Sequence, residues 1–290
     1  MKITSYLLIC SLMRLCLAGC GSRQQAYDIA ATTLPVYQFT SMLVEGTGLT
    51  VTRLVTENVS CLHDYSLNVR QVKAAESAQL IVINGAGLEA FMEDILHDKQ
   101  VVDASCGIEL EEDCHHHEEH DGHDHSVDSH IWLSPEYALI MARIIYSGLA
   151  ETYPQHKQLL QTNLLSLMKQ LQELLDYGRE NLTQLSSREL ITFHDGFGHF
   201  AHCFDLEILA AVEEEAGSET SAHQLIELIQ LVNQHHIPAI FTETNGSSAS
   251  ASVICRETGA AVYTLDMAMA GDDYFAAMRH NIDIIREALA

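Results

Sequence analysis

Residues 155–181, QHKQLLQTNLLSLMKQLQELLDYGREN, decide the fold. Leu159, Leu160, Leu164, Leu165, Met168, Leu171, Leu174 and Leu175 recur near i, i+3, i+4 spacing, the period of one apolar helix face. Pro154 punctuates the chain just before it. A helix of about 26 residues is roughly 39 Å long. That is long for a globular helix, and it suits a rigid connector between two lobes.

On both sides of this stretch the chain alternates in type. Before it, Asp28–Thr32, Leu49–Val55 and Leu80–Ile83 read as strands. Val36–Val44, Leu67–Ser77, Leu88–Leu96 and Pro135–Thr152 read as helices. After it, 189–193, 239–242 and 261–265 read as strands, with helices at 222–236, 248–258 and 274–289. Strands alternating with helices argue for βαβ units and mostly parallel sheets. The fold class is therefore α/β, as two lobes joined by one long helix. The divisions fall at 26–152 for the N-terminal lobe, 153–185 for the linker helix and 186–290 for the C-terminal lobe.

Two segments stand outside this rhythm. Lys2, an apolar run from Ile3 to Leu17 and the small residues before Cys20 read as a secretory signal over residues 1–20. Leu17-Ala18-Gly19-Cys20 also resembles a bacterial lipobox, in which Cys20 takes the lipid. No other run approaches the ~20 apolar residues that span a bilayer. Residues 111–125, EEDCHHHEEHDGHDH, hold six His and seven acids and cannot form a core. They read as a loop of the N-terminal lobe.

Charge narrows the partners. Fifteen Lys and Arg stand against 40 Asp and Glu, a formal charge of −25. Such a chain repels phosphate backbones, which disfavours nucleic acid. Cations are the natural ligands. Cys61, Cys106, Cys114, Cys203 and Cys255 remain after Cys20. An odd number leaves at least one thiol free or metal-bound, and none of them makes a CxxC pair.

Four ligand-type residues stand just past the apolar segments or in loops beside them: His63, His130, His194 and Asp266. In open α/β sheets, ligands bind outside the carboxyl ends of strands. Two of the four come from each half, so a site between lobes follows naturally. Three neutral imidazoles and a carboxylate suit tetrahedral Zn2+, whereas Mn2+ and Mg2+ prefer more oxygen. By spacing alone, each His reads equally as an ordinary surface or core residue. Asp195 reads either as an acceptor orienting His194 or as a cap of the following helix. His199 and His202 face elsewhere on that helix, His235 and His236 end a helix, and Trp132 belongs to the core. A zinc hydrolase with His194 as ligand and Asp195 as base is disfavoured, because no HExxH, nucleophile elbow or paired-metal pattern is present.

The segments HDYSLNVRQVKAAESAQLIVINGAGLEAFMEDIL, SHIWLSPE, ITFHDGFGHF, IFTE, ETGAAVYTLD and DDYFAAMRHNIDIIREAL follow one another in order along the chain. Together they resemble the metal-binding solute receptors of bacterial ABC importers, the zinc and manganese family that includes adhesin-like lipoproteins. The resemblance implies two α/β lobes joined by a long helix, with the metal in the cleft between them. It implies His63, His130, His194 and Asp266 as ligands of a transported Zn2+. Manganese members carry a carboxylate at the third position, so His194 favours zinc. The tract carrying His115, His116, His117, His120, His123 and His125 looks like that of zinc receptors, with a role in low-affinity capture or sensing. Departures from the family pattern are Leu62 before His63, Thr244 after Glu243 and Met267 after Asp266. At the fourth position Glu243 or a water stays open as an alternative to Asp266. The implied protein is no enzyme. It is a monomer, lipid-anchored outside the cytoplasm, with an ABC permease as partner. A surface adhesin, a zinc buffer and a manganese receptor are the competing readings.

Overall fold

The computed structural model describes residues 27–57, 62, 65–110, 127–213, 220–243, 248–269 and 271–290. The N-terminal half builds a four-stranded sheet of order β2-β1-β3-β4, from β1 (Ile29–Ala31), β2 (Val51–Arg53), β3 (Leu80–Ile83) and β4 (Gln100–Asp103). The C-terminal half builds a second, of order β6-β5-β7-β8, from β5 (Glu189–His194), β6 (Glu207–Glu213), β7 (Ala239–Glu243) and β8 (Ala261–Leu265). Every pairing in both sheets is parallel. The central strands read as unbroken apolar runs because both their faces are covered; all four residues of β3, Leu80 to Ile83, are buried.

The strand order reverses between β1 and β3 in one sheet and between β5 and β7 in the other. Such reversal points open a crevice at the carboxyl ends of the strands. His194 is the last residue of β5 and Glu243 the last of β7, so both stand at the second crevice.

Helices cover the sheets: α1 (Leu34–Leu43), α2 (Val69–Ser77), α3 (Glu93–Leu96), α4 (Pro135–Thr152), α5 (Lys157–Asn181), α6 (Gly198–Cys203), α7 (Ala222–His235), α8 (Ser248–Thr258) and α9 (Tyr274–Leu289). Helix α2 starts at a capping box, in which Asn68 accepts from the Gln71 backbone and Gln71 reaches back to the Asn68 backbone. The stretch read as one helix over 88–96 divides into a 3-10 turn, Ala90–Met92, and the short α3.

Helix α5 has 25 residues and joins the lobes. It buries Leu160, Leu164, Leu167, Leu171, Leu174, Leu175 and Gly178, while Leu159 and Leu165 of the same apolar series stay exposed. The buried stripe faces α4, α1 and α9, so the helix is a packed element and not a free strut. One apolar cluster runs from Ile29, Phe39 and Trp132 in the first lobe through the α5 leucines to Leu190, Phe241 and Tyr274 in the second. Each sheet covers its outer face with a cluster of its own. Lobes that share one core do not swing as separate domains do.

Gly178 shows how closely α5 approaches the second lobe. A Cβ there would lie 2.2 Å from Cε1 of the Phe204 ring. Helix propensity alone makes Gly178→Ala stabilising. The ring contact makes it destabilising by about 1–3 kcal/mol, the range of an overpacked core. Denaturant unfolding of the two proteins measures the sign.

Candidate metal centre

His130 caps the 3-10 turn Ile131–Leu133 in the first lobe, and His194 ends β5 in the second. They stand 64 positions apart in sequence, yet their Nε2 atoms lie 3.3 Å apart. The rings meet nearly at right angles, with centroids 5.0 Å apart. Both residues are buried, at 5% and 4% exposure. Two nitrogens that each sit about 2.0–2.1 Å from one zinc, at the tetrahedral angle, stand about 3.3–3.4 Å from each other. The pair therefore already has the spacing of two ligands to a single tetrahedral ion.

The far side of His130 is fixed as well. Its Nδ1 lies 2.7 Å from Oδ1 of Asp128, and its backbone N–H donates to the same oxygen at 2.9 Å. A carboxylate only accepts, so Nδ1 carries the proton, and the neutral imidazole then offers the lone pair of Nε2 toward His194. Burial alone would raise the Asp128 carboxyl. The bonds from His130 and the nearness of His199 outweigh it, and the pKa lies below the ordinary carboxylate value. Room on the other side comes from Gly196. A Cβ there would fall 2.7 Å from Cδ2 and 3.0 Å from Nε2 of His194.

Asp266 follows β8 and is half-buried. Its Oδ1 accepts from the backbone of Ala268 at 2.8 Å. Asn281 of α9 holds its backbone from both ends, accepting from Asp266 N at 2.8 Å and donating to its carbonyl at 2.6 Å. Glu243 is 7% exposed. It lies beside His194, two residues beyond the Thr192–Phe241 pair on each strand. Among the described residues, no group of three or more His, Cys, Asp or Glu side chains stands ready to hold a metal. Neither Asp266 nor Glu243 therefore already stands in one group with the two imidazoles.

His63, Cys20 and the six histidines of the acidic tract lie outside the described residues. Of the residues near His63, Leu62 and Tyr65 are described. Leu62 has no exposed surface. Tyr65 donates its backbone N–H to the Leu62 carbonyl at 3.1 Å and its hydroxyl to Glu57 at 2.6 Å.

Trp132, His235 and His236, also singled out from the sequence, have plain surroundings. Trp132 is fully buried, and its ring lies 5.2 Å from that of His130. His235 sits 3.2 Å from Glu189, and His236 ends α7 in the left-handed region. Cys106, Cys203 and Cys255 are free thiols. Asp128 does not stand out in the sequence, and its place two residues before His130 is the one signal it offers there.

A model of the ZnuA family, described as "Zinc-uptake complex component A periplasmic", matches residues 29–288. The chain belongs to this family. Its members are metal-binding solute receptors and not enzymes. The "Zinc-binding lipoprotein AdcA" of Streptococcus pneumoniae (strain ATCC BAA-255 / R6) is 29% identical over 97% of this chain. This chain spans 60% of that relative's length. A "Putative metal-binding protein" of Treponema pallidum (strain Nichols) is 29% identical over 86% of this chain and 83% of its own. The solved structure titled "Crystal structure of ZnuA" is similar at a TM-score of 0.80 and 28% identity, covering 92% of this chain and all of the other. As in that ZnuA-like fold, two parallel-sheet lobes meet along a long helix. No helix among the described residues is long and apolar enough to cross a membrane.

The crevice of the first sheet is closed by a buried carboxyl. Glu89 accepts from the Thr32 hydroxyl at 2.6 Å and from the backbones of Asn84 at 2.8 Å and Gly85 at 3.0 Å. Burial nevertheless pushes its pKa up from 4.5 to about 7. Between those values the folded protein holds a proton that the unfolded chain has released, so stability falls as pH rises. Glu89→Gln does not titrate. The unfolding free energy of the wild type, taken relative to this variant, should drop by up to about 3 kcal/mol between pH 4.5 and 8. Urea unfolding across that range measures the slope; a flat difference means a carboxylate already ionised in the fold.

Proposed function

We propose that the chain is an extracytoplasmic receptor that captures Zn2+ and delivers it to the membrane permease of an ABC importer. The observation that carries this reading is the buried His130–His194 pair, whose Nε2 atoms stand 3.3 Å apart with His130 fixed in the tautomer that offers Nε2. His63 and Asp266 complete the proposed ligand set, with Glu243 as the nearby alternative to Asp266. Nitrogen-rich ligation favours zinc over manganese. The zinc named in the family description and in the AdcA relative supports the same choice. Lipid on Cys20 would hold the receptor at the membrane, as the lipoprotein name of that relative suggests.

The protein's part in this process is binding. A buried pair with one imidazole already oriented loses little freedom when the ion arrives. Both ligands must be neutral, so binding competes with protons and weakens on acidification. The shared core and the continuous α5 restrict lobe rotation, so release proceeds through small movements of the loops that carry the ligands. The acidic tract raises the local cation concentration and offers imidazole nitrogens, which fits it for low-affinity capture ahead of the buried site.

Zinc titration with chelator competition tests the reading, on the mature protein with and without residues 111–125. One tight site is expected in both. In His130→Ala, His194→Ala and His63→Ala the loss should exceed the roughly 10–100-fold cost of removing an outer-shell partner. Manganese should not displace the zinc. A tight site that vanishes with the tract would make the tract the binder and the protein a buffer.

A further inference from the structure

The tripeptide Asp128–Ser129–His130 is gripped from both lobes. From the first lobe, Nδ2 of Asn84 donates to the Ser129 carbonyl at 3.0 Å. From the second, Nε2 of His199 lies 2.9 Å from the Asp128 carbonyl and 3.5 Å from its Oδ2. A carbonyl oxygen only accepts, so His199 carries its proton on Nε2 and is the donor. The His199 ring is 15% exposed and meets Tyr137 edge-on at 5.2 Å. Neither partner is a loose surface group.

The connectivity gives this contact its meaning. Residues 194–199 of the second lobe carry one imidazole of the pair at one end and His199 at the other. His199 holds Asp128, Asp128 holds Nδ1 of His130, and His130 points Nε2 back at His194. The loop is closed across the lobe seam. We propose that His199 is a positioning residue for metal binding: by anchoring Asp128 it keeps His130 in the orientation and tautomer that meet His194. Asp128 also lies three residues beyond the acidic tract.

The proposal rests on the reading of His130 as a ligand, and the test separates the two. Zinc affinity is measured by chelator competition on the full mature chain, alongside the visible spectrum of the Co2+ form and the melting temperature without metal. His199→Phe fills the space without a donor and should weaken the tight site about 10–100-fold, with a changed Co2+ spectrum. His199→Gln restores a donor of similar reach and should recover most of the affinity. Should the Phe variant not fold, His199→Asn, too short to reach Asp128, reads the same step. Wild-type affinity in the Phe or Asn variant, while His130→Ala has lost the site, would overturn the proposal alone. Equal weakening in the Gln and Phe variants, tracking only their melting temperatures, would reduce His199 to a structural contact and overturn it too. A tight site that survives His130→Ala would overturn the reading beneath it.

Discussion

The seam between the lobes depends on one buried indole. Trp132 is fully enclosed, and its Nε1 donates to the Met267 carbonyl of the second lobe at 2.7 Å. Its own carbonyl accepts from the Tyr274 hydroxyl, also at 2.7 Å. The indole N–H and the backbone carbonyl of this buried residue are thereby both satisfied, without which burying them would be costly. Trp132 lies two residues after His130, and Met267 one residue after Asp266. The bond between them ties together the backbones that carry a candidate ligand from each lobe.

Further contacts reinforce this seam around its edge. Tyr274 donates its backbone N–H to Gln38 at 2.6 Å, and Gln38 donates to Asp273 at 3.2 Å. Arg53, at the end of β2, donates to the Gly271 carbonyl at 2.6 Å. The turn after β8 thus belongs mechanically to both lobes. Together with the continuous core, these bonds hold the His130–His194 spacing in place, where separate lobes would leave it to chance. The same rigidity suits the proposed capture of one ion of fixed size.

Much of this was legible in the sequence. The leucine period of 155–181 marks α5 nearly to its ends, because a helix that buries one stripe must repeat it. Strand-type runs such as LIVI at 80–83 announce the buried sheets. What stayed hidden had weak local signals. β6 is built from Glu, Ile, Leu, Ala and Val, several of them at home in a helix, and sheet pairing with β5 overrides that preference. β4 has only four residues and no long apolar run. The exposed Leu159 and Leu165 continue the apolar series of α5 without being buried by it. At the site, His130 and His194 could be singled out, because both stand beside regular elements and match family motifs. The Asp128–His199 contact spans 71 positions and joins two lobes; no periodicity records such a meeting.

The last helix has a consequence for how the chain acquires its shape. Phe39 of α1 packs edge-on against Tyr274 at the start of α9, with ring centroids 5.0 Å apart. At the other end of that helix, the Leu289 carbonyl accepts from Ser186 at 2.7 Å. The first lobe therefore packs against a helix that follows β8 of the second lobe. Phe39 gains this aromatic partner only when α9 docks. Contacts so distant in sequence form late and slowly. Helix α9 therefore couples the two lobes as they form: the packing of α1 in the first and the anchoring of Ser186 in the second both wait on it.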